Sequence, residues 1–347
     1  MIIHREGFHV CVYHAWNPGV HLLTTLVRFG VVLVVAPPCF PWLKYSLNRI
    51  REGTTASYRR KKVLRHRPLI VFSDVDGVFD QASPNSFDSA ARRLGWLTRN
   101  HVPLVLCSSK TRAELEHISQ GLGIRHPFIC ESGSAVFIPK GYLGFPVGEG
   151  RELAGYTAVE FGRSYTEVVD ILRTTADRQR IHIRGFSDMS VEEVAREGGV
   201  SLLEARLAKL REYGELFRVL DPDPAARLRL FTALRSARVL CTTIGRRYDH
   251  AGAAVDHRLG VSLLSGLYRR ACGDVVSVGI AQPRHEGNLL QLVDIPVVVR
   301  GRDVSLAAGV TEKSSGALVD IDGVEGWVNT IVELVQEGRR RRHVSVD

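Results

Sequence analysis

"LIVFSDVDGVFD", residues 69–80, runs an apolar stretch into two acids with one residue between them, Asp74 and Asp76, and then Gly77. Leu69 to Phe72 read as a short buried strand. In open parallel sheets, ligands bind at the carboxyl ends of the strands, and both acids follow such a strand directly. Side chains alternate along extended chain, so residues two apart point the same way. Two carboxylates on one face suit a hard cation such as Mg²⁺, which takes oxygen ligands. They also suit a division of labour in which one attacks phosphorus and the other moves protons. An ordinary strand-end turn uses the same residue types. "LVDIDG" repeats the spacing with Asp320, Asp322 and Gly323; few residues follow it, and that copy is read as a turn.

Outward from this stretch the pattern is α/β. "SFDSAARRLGWLTRN" has helical spacing, "VPLVLCSS" is a second strand, and "KTRAELEHISQGLG" is a helix with Gly121 and Gly123 at its end. "PFICESGSAVFIP" reads as strand, turn, strand. Strands alternating with helices at this spacing imply a parallel sheet with right-handed crossovers. From about 150 to 250 the character changes to an inserted α+β domain, ending in a returning strand "CTTIGRRYDH". The α/β pattern then resumes with helix "RLGVSLLSGLYRRAC", strand "VVSVGIA", helix "GNLLQLV", strand "IPVVVR" and final helix "EGWVNTIVELVQEG". The expected division is an N-terminal extension over 1–67, a first core part over 68–149, the insert over 150–250, a second core part over 251–337 and a basic tail over 338–347.

The chain of 347 residues, 45% hydrophobic, is long enough for a sizeable core. Its net charge of +9 is unevenly placed. Residues 1–67 hold 11 Lys or Arg against Glu6 and Glu52, and the last ten hold four arginines against Asp347, which leaves 31 basic and 34 acidic residues between them. The body is therefore slightly acidic, and no nucleic-acid partner is expected for it. The basic ends read as solvated tails. The six cysteines, 11, 39, 107, 130, 241 and 272, show no CxxC and no pairing pattern, which points to reduced thiols and a cytoplasmic protein. Cys107 and Cys130 lie in apolar runs as small hydrophobes. The apolar run of the extension, Phe29 to Ala36, falls far short of the roughly 20 residues of a membrane helix. Two readings stay open for this segment. It is a weak membrane anchor, or it lies outside a working protein that starts near "KKVLRHRPLIVF", at a non-Met codon such as that of Val63.

Ser108 ends the second strand, where its hydroxyl and the amide of Ser109 could bind phosphate. Lys110 adds charge, and simple N-capping by Ser109 is the plainer role. With Glu131 in "CESGSAVF" ending the next strand, this order of features resembles the haloacid dehalogenase (HAD) superfamily of phosphatases. The stretches "LCSSKTRAELEHISQGLGIRHPFICESGSAVFIPKGYL", "RGFSDMSVEEVA", "AKLREYGELF", "GRRYDH" and "VDIPVVV" resemble, more narrowly, the mannosyl-3-phosphoglycerate phosphatase family over about residues 68–335. The resemblance implies a Rossmannoid parallel-sheet core with an inserted α+β cap of the C2 type. It implies a Mg²⁺-dependent phosphomonoesterase with Asp74 as nucleophile, Asp76 as general acid/base and Ser108 on the transferring phosphoryl group. Arg184, Asp188 and Arg246 become candidates for the glycerate carboxylate or the sugar hydroxyls, since Arg suits a carboxylate through its fork; surface salt bridges are the bland alternative.

Four positions depart from the family pattern. His257 stands where the family has a lysine that steadies nucleophile and phosphate, with Arg258 next to it. Gln282 and Glu286, in "GIAQPRHEGNLL", replace the two late aspartates, so the implied metal ligands are Asp74, Asp76, Gln282 and Glu286. Val78 replaces a hydroxyl residue. Three functions follow as alternatives: a mannosyl-3-phosphoglycerate phosphatase with an adapted site, a degenerate relative that binds a phosphorylated ligand or partner without turnover, and a phosphatase for a related ester such as the glucosyl analogue. The expected partner is a small phosphorylated sugar-glycerate, with no firm membrane association and no oligomeric state to be read.

Overall fold

A computed structural model describes residues 2–5, 8–11, 67–76, 78–79, 84–244, 248–253, 256–281, 289–300, 317–320 and 323–344. The chain divides into two compact units, 1–65 and 66–347. In the first, β1 (Ile2–Arg5) and β2 (Phe8–Cys11) form an antiparallel pair. The readings for the rest of 1–67 lie almost wholly outside the described residues. Among the described residues no helix is long and apolar enough to cross a membrane.

The second unit is built on a nine-stranded sheet. Its first strand, β3 (Leu69–Asp74), is the apolar stretch read above, and Ile70, Val71 and Phe72 are each at most 1% exposed. Such a run is buried on both faces, as parallel strands under helices are. The order is β15 (Ala317–Asp320), β14 (Ile295–Arg300), β13 (Val276–Ala281), β3, β4 (Leu104–Cys107), β5 (Phe128–Cys130), β6 (Ala135–Pro139), β8 (Tyr156–Glu160) and β7 (Arg151–Leu153). β15 through β5 run parallel, and β6, β8 and β7 add antiparallel strands at one edge. The α/β class and largely parallel sheet stand as expected.

The chain leaves β3 toward β4 on one side and returns to β13 on the other, so the strand order reverses at β3. That reversal is where open sheets bind ligands. Helices cover both faces. Ala90, Leu94 and Leu97 of α1 (Pro84–Arg99), Leu115 and Ile118 of α2 (Arg112–Gly121), and Trp327, Val328 and Ile331 of α8 (Gly323–Val344) share one core cluster. Val261, Leu264 and Tyr268 of α7 (Arg258–Cys272) fill the other face. Fully burying each such side chain stabilises by roughly 1.5–3 kcal/mol. Cys107 and Cys130 are fully buried among these apolar side chains.

Between β8 and α7 the chain builds a separate antiparallel sheet in the order β11 (Leu240–Ile244), β12 (Tyr248–Gly252), β10 (Gly214–Val219), β9 (Ile183–Gly185). α3 (Tyr165–Gln179) and α6 (Pro224–Ser236) pack on the face carrying Phe217 and Ala251. α4 (Val191–Gly198) and α5 (Leu202–Ala208) cover Leu216 and Tyr248 on the other face.

The structure corrects several element readings. Residues 151–160, expected in the insert, extend the large sheet instead, because Tyr156–Glu160 pairs with β6 and Ala158 is buried in the main core. "CTTIGRRYDH" is two antiparallel strands rather than one, with 245–247 outside the described residues. The described part of "GNLLQLV", from Leu289 on, holds a single 3-10 turn, Leu289–Gln291, in place of the expected helix, and it buries Leu289 and Leu290. The last helix runs on through 339–342, since arginine is a good helix former and basic residues suit a helix C-terminus. The second Asp-x-Asp-Gly copy joins β15 to α8, with Gly323 at φ +59°.

Candidate active site

The site begins where β3 ends. Asp74 is in register with Cys107 of β4, and Ser73 with Ile280 of β13. Ser73 faces the helix layer, where its hydroxyl accepts from Trp327 Nε1 at 2.8 Å in the buried core. Asp74 is one residue further on, so alternation turns it to the other side. Its Oδ1 accepts from the Asp76 amide at 2.9 Å, which bends the chain out of the strand.

Asp76 meets the residues that follow β4. Its carboxylate accepts from the Ser108 hydroxyl, and from the Ser109 amide at 3.0 Å to Oδ1 and 3.2 Å to Oδ2. Ser108 Oγ in turn accepts from the Lys110 amide at 3.1 Å. The hydroxyl and amide expected to hold a phosphoryl oxygen thus hold an oxyanion here, that of Asp76. Lys110 Nζ lies 3.9 Å from Glu114. The cap of α2 is Thr111, not Ser109. Thr111 Oγ1 accepts from the Glu114 amide at 3.1 Å, and the Glu114 carboxylate accepts from the Thr111 amide at 2.8 Å. The spacing Thr-x-x-Glu is the sequence signal for this reciprocal cap, and it frees Ser109 for Asp76.

The β5–β6 turn is the feature that the sequence left without a role. Glu131, Ser132 and Gly133 take φ values of +44°, +58° and +96°. Two non-glycine residues in the left-handed region cost energy that their surroundings must offset. At Gly133 any Cβ would lie 1.8 Å from the Asp256 carbonyl oxygen, so only glycine lets the turn meet the start of α7. The amides of Glu131 and Ser132 donate to the carbonyls of Lys110 and Ser108, each at 2.9 Å, which fixes the Ser108–Lys110 loop from below.

The Glu131 side chain, 0% exposed, reaches the other sheet. Its Oε1 accepts from the Glu212 amide at 2.7 Å, and its Oε2 from the amides of Tyr213 and Gly214 at 3.1 and 2.8 Å. Arg211 Nη2 pairs with Oε2 at 3.2 Å and donates to the Ser109 carbonyl at 3.3 Å. Burial pushes the Glu131 pKa up, while Arg211 and the three amides pull it down. Donors alone face both oxygens, which is the environment of a carboxylate. Around this buried pair, Arg112 Nε pairs with Glu212 at 3.1 Å, and Thr111 Oγ1 donates to the Leu207 carbonyl at 3.0 Å.

The structure brings Asp74, Asp76, Ser108, Ser109 and Lys110 together. Arg184 and Asp188 lie on the smaller sheet and its margin. Arg184 pairs with Glu193 and Glu197 at 2.6 and 3.2 Å. Asp188 pairs with Arg173 at 2.5 Å and accepts from the Gly185 amide at 2.8 Å. These are the ion pairs of the bland alternative. Arg218, beside Arg184 in the β9–β10 register, joins them through Glu197 at 2.8 Å. His257 occupies the N-cap position of α7 without a side-chain capping bond; the Arg258 amide is bonded instead by Asp256 Oδ1 at 2.8 Å. Arg258 itself is exposed and lies 3.9 Å from Asp256. Arg246, Gln282 and Glu286 lie outside the described residues. Two carboxylates offer a hard cation the oxygen donors it takes; among the described residues no group of three or more His, Cys, Asp or Glu forms a metal cluster.

No family model matches the chain. Among solved structures, a haloacid dehalogenase-like hydrolase from Bacteroides thetaiotaomicron superposes with a TM-score of 0.51 at 13% identity, covering 76% of this chain and 99% of its own. A phosphatase of the HAD superfamily from the same organism gives 0.51 at 14% identity, covering 79% and 98%. A parallel sheet that reverses at the strand bearing paired aspartates, with an antiparallel sheet inserted, is thus the HAD fold. The glucosyl-3-phosphoglycerate/mannosyl-3-phosphoglycerate phosphatase of Methanococcoides burtonii is 34% identical over 266 residues, 77% of this chain and 97% of the relative. Its namesake from Persephonella marina is 31% identical over 278 residues, 78% and 99%. The chain is a phosphoric monoester hydrolase of the HAD superfamily, and it belongs to the glucosyl-3-phosphoglycerate/mannosyl-3-phosphoglycerate phosphatase family.

Proposed function

We propose that the chain hydrolyses mannosyl-3-phosphoglycerate to mannosylglycerate and phosphate, the glucosyl ester being the second substrate that the relatives' names carry. The observation that carries this reading is the grip of Ser108 Oγ and Ser109 N on an oxyanion, that of Asp76, two residues from Asp74 at the strand-order reversal. Asp74 attacks phosphorus, the ester P–O bond breaks, and Asp76 passes a proton to the leaving glycerate oxygen. Water then attacks the aspartyl-phosphate with Asp76 as base, releasing phosphate and restoring Asp74. The Ser108–Lys110 loop holds the phosphoryl oxygens during both displacements, a positioning and charge-balancing role on which phosphoryl transfer depends.

Mg²⁺ would neutralise phosphoryl charge, held by Asp74 and Asp76 together with Gln282 and Glu286 from outside the described residues. We assign residues 164–252 as a cap that covers the sugar-glycerate and excludes water, its docking supported by the Glu131–Arg211 pair. Arg184, Asp188 and Arg246 are its proposed substrate contacts, and His257 a proposed phosphate-side contact. The cysteine spacing favours a cytoplasmic setting. The test is phosphate release from the mannosyl and glucosyl esters with and without Mg²⁺, beside Asp74→Asn. Release that needs Mg²⁺ and Asp74 supports the reading; release unchanged by Asp74→Asn overturns it.

A further inference from the structure

His250 lies on β12, opposite Leu216 of β10, and is 0% exposed. Among the described residues neither Nδ1 nor Nε2 has a hydrogen-bond partner. A neutral imidazole carries one donor and one acceptor, and a buried polar group without a partner is destabilising and rare enough to need an explanation. The ring lies against Gly214, where a Cβ would come within 2.1 Å of Nε2. Gly214 is the residue whose amide docks on Glu131, so the ring sits over the point where the smaller sheet meets the active-site loop. Burial and the Arg211 charge keep the imidazole neutral, against a smaller opposite pull from Asp76. The ring is therefore within electrostatic reach of both the arginine that holds Ser109 and the aspartate that Ser109 holds. Leu or Phe would fill this place with no polar atom to satisfy. A local rule broken at the margin of a site is where function is to be sought.

We propose that His250 is a specificity-determining residue, donating a ring N–H to a hydroxyl or carboxylate oxygen of the leaving half of the phosphate ester where the smaller sheet meets the active-site loop. This rests on the phosphatase reading above. It gives the insert a contact with the part of the substrate that differs between esters, while the phosphoryl group is held by the core.

The test uses the full chain with His250→Phe and His250→Asn, comparing a sugar-phosphoglycerate with para-nitrophenyl phosphate, whose leaving group has neither hydroxyl nor carboxylate. Thermal midpoints are measured alongside. With His250→Phe, kcat/KM on the sugar ester should fall by about tenfold or more, mostly through KM, the worth of one lost hydrogen bond. The aryl ester should stay near wild type, and the thermal midpoint should hold or rise because unpaired polar atoms are removed. His250→Asn, which keeps a donor, should restore part of the loss and serves as the test if the Phe variant fails to fold. Unchanged kinetics on the sugar ester, or equal losses on both esters, would overturn the inference while leaving a working phosphatase. No release by wild type from any ester would overturn the phosphatase reading, and the inference with it.

Discussion

Asp76 and Glu131 are two carboxylates tied to the same short loop, Asp76 directly and Glu131 through Arg211. Ser109 gives its amide to Asp76 and its carbonyl to Arg211, and Arg211 closes on Glu131. Replacing Glu131 by Gln keeps the shape but turns an NH₂ group toward backbone amides and leaves Arg211, 1% exposed at its side chain, without its counter-charge. Breaking a buried pair from one side costs about 3–5 kcal/mol. Glu131→Gln should therefore lower the unfolding free energy measured by denaturant titration by that amount, and Arg211→Met in the same chain should recover part of it. A loss under about 1 kcal/mol would mean that burial already keeps Glu131 protonated. The paired aspartates were legible from sequence because a strand-end Asp-x-Asp-Gly is local. Glu131 was not, since its partners, residues 211–214, are some eighty positions away and meet it only in the folded chain.

Between elements, a polar chain ties the approach to β5, the segment after β6, and α7. His126 Nδ1 lies 2.8 Å from the Tyr142 hydroxyl, which lies 3.0 Å from that of Tyr268. Burial pulls the His126 pKa down to about 4, from an ordinary value near 6.5. The native imidazole is thus neutral at pH values where the unfolded one is protonated. Its contribution to stability is present above about pH 6.5 and is lost as pH falls toward 4. Part of the residue's surface remains open to water, so the loss should be roughly 1–3 kcal/mol. Chemical denaturation from pH 7 down should show it, and His126→Phe should flatten the decline; an identical decline in the variant would assign acid sensitivity elsewhere. Most helices and parallel strands of this layer were readable because hydrophobic period and element length agree, as in "RLGVSLLSGLYRRAC", which is α7 to the residue. Two of the readings that failed were decided by pairing partners. Residues 151–160 could serve either sheet by composition, and only the antiparallel register with β6 assigns them.

Across the whole molecule, the first half of the site is tied together by the hydrogen bonds of Asp74 and Asp76, while the second half carries sequence departures at His257, Gln282 and Glu286. Gln282 offers a neutral oxygen where a carboxylate would neutralise charge, and His257 offers a shorter side chain than lysine. One electrostatic contact in such a site is worth roughly a hundredfold or more in rate. Gln282→Asp combined with His257→Lys should therefore raise kcat on the sugar ester while the apparent Mg²⁺ requirement falls to lower concentration. A double variant no faster than wild type would show that the altered residues are adapted to their task. The central claim, that Asp74 is the nucleophile of a sugar-phosphoglycerate phosphatase, has a direct test in phosphate release from mannosyl-3-phosphoglycerate by wild type and Asp74→Asn under saturating Mg²⁺. Measurable release by wild type and none by the variant is the predicted result; equal release by both, or none by wild type on either sugar ester, would contradict it.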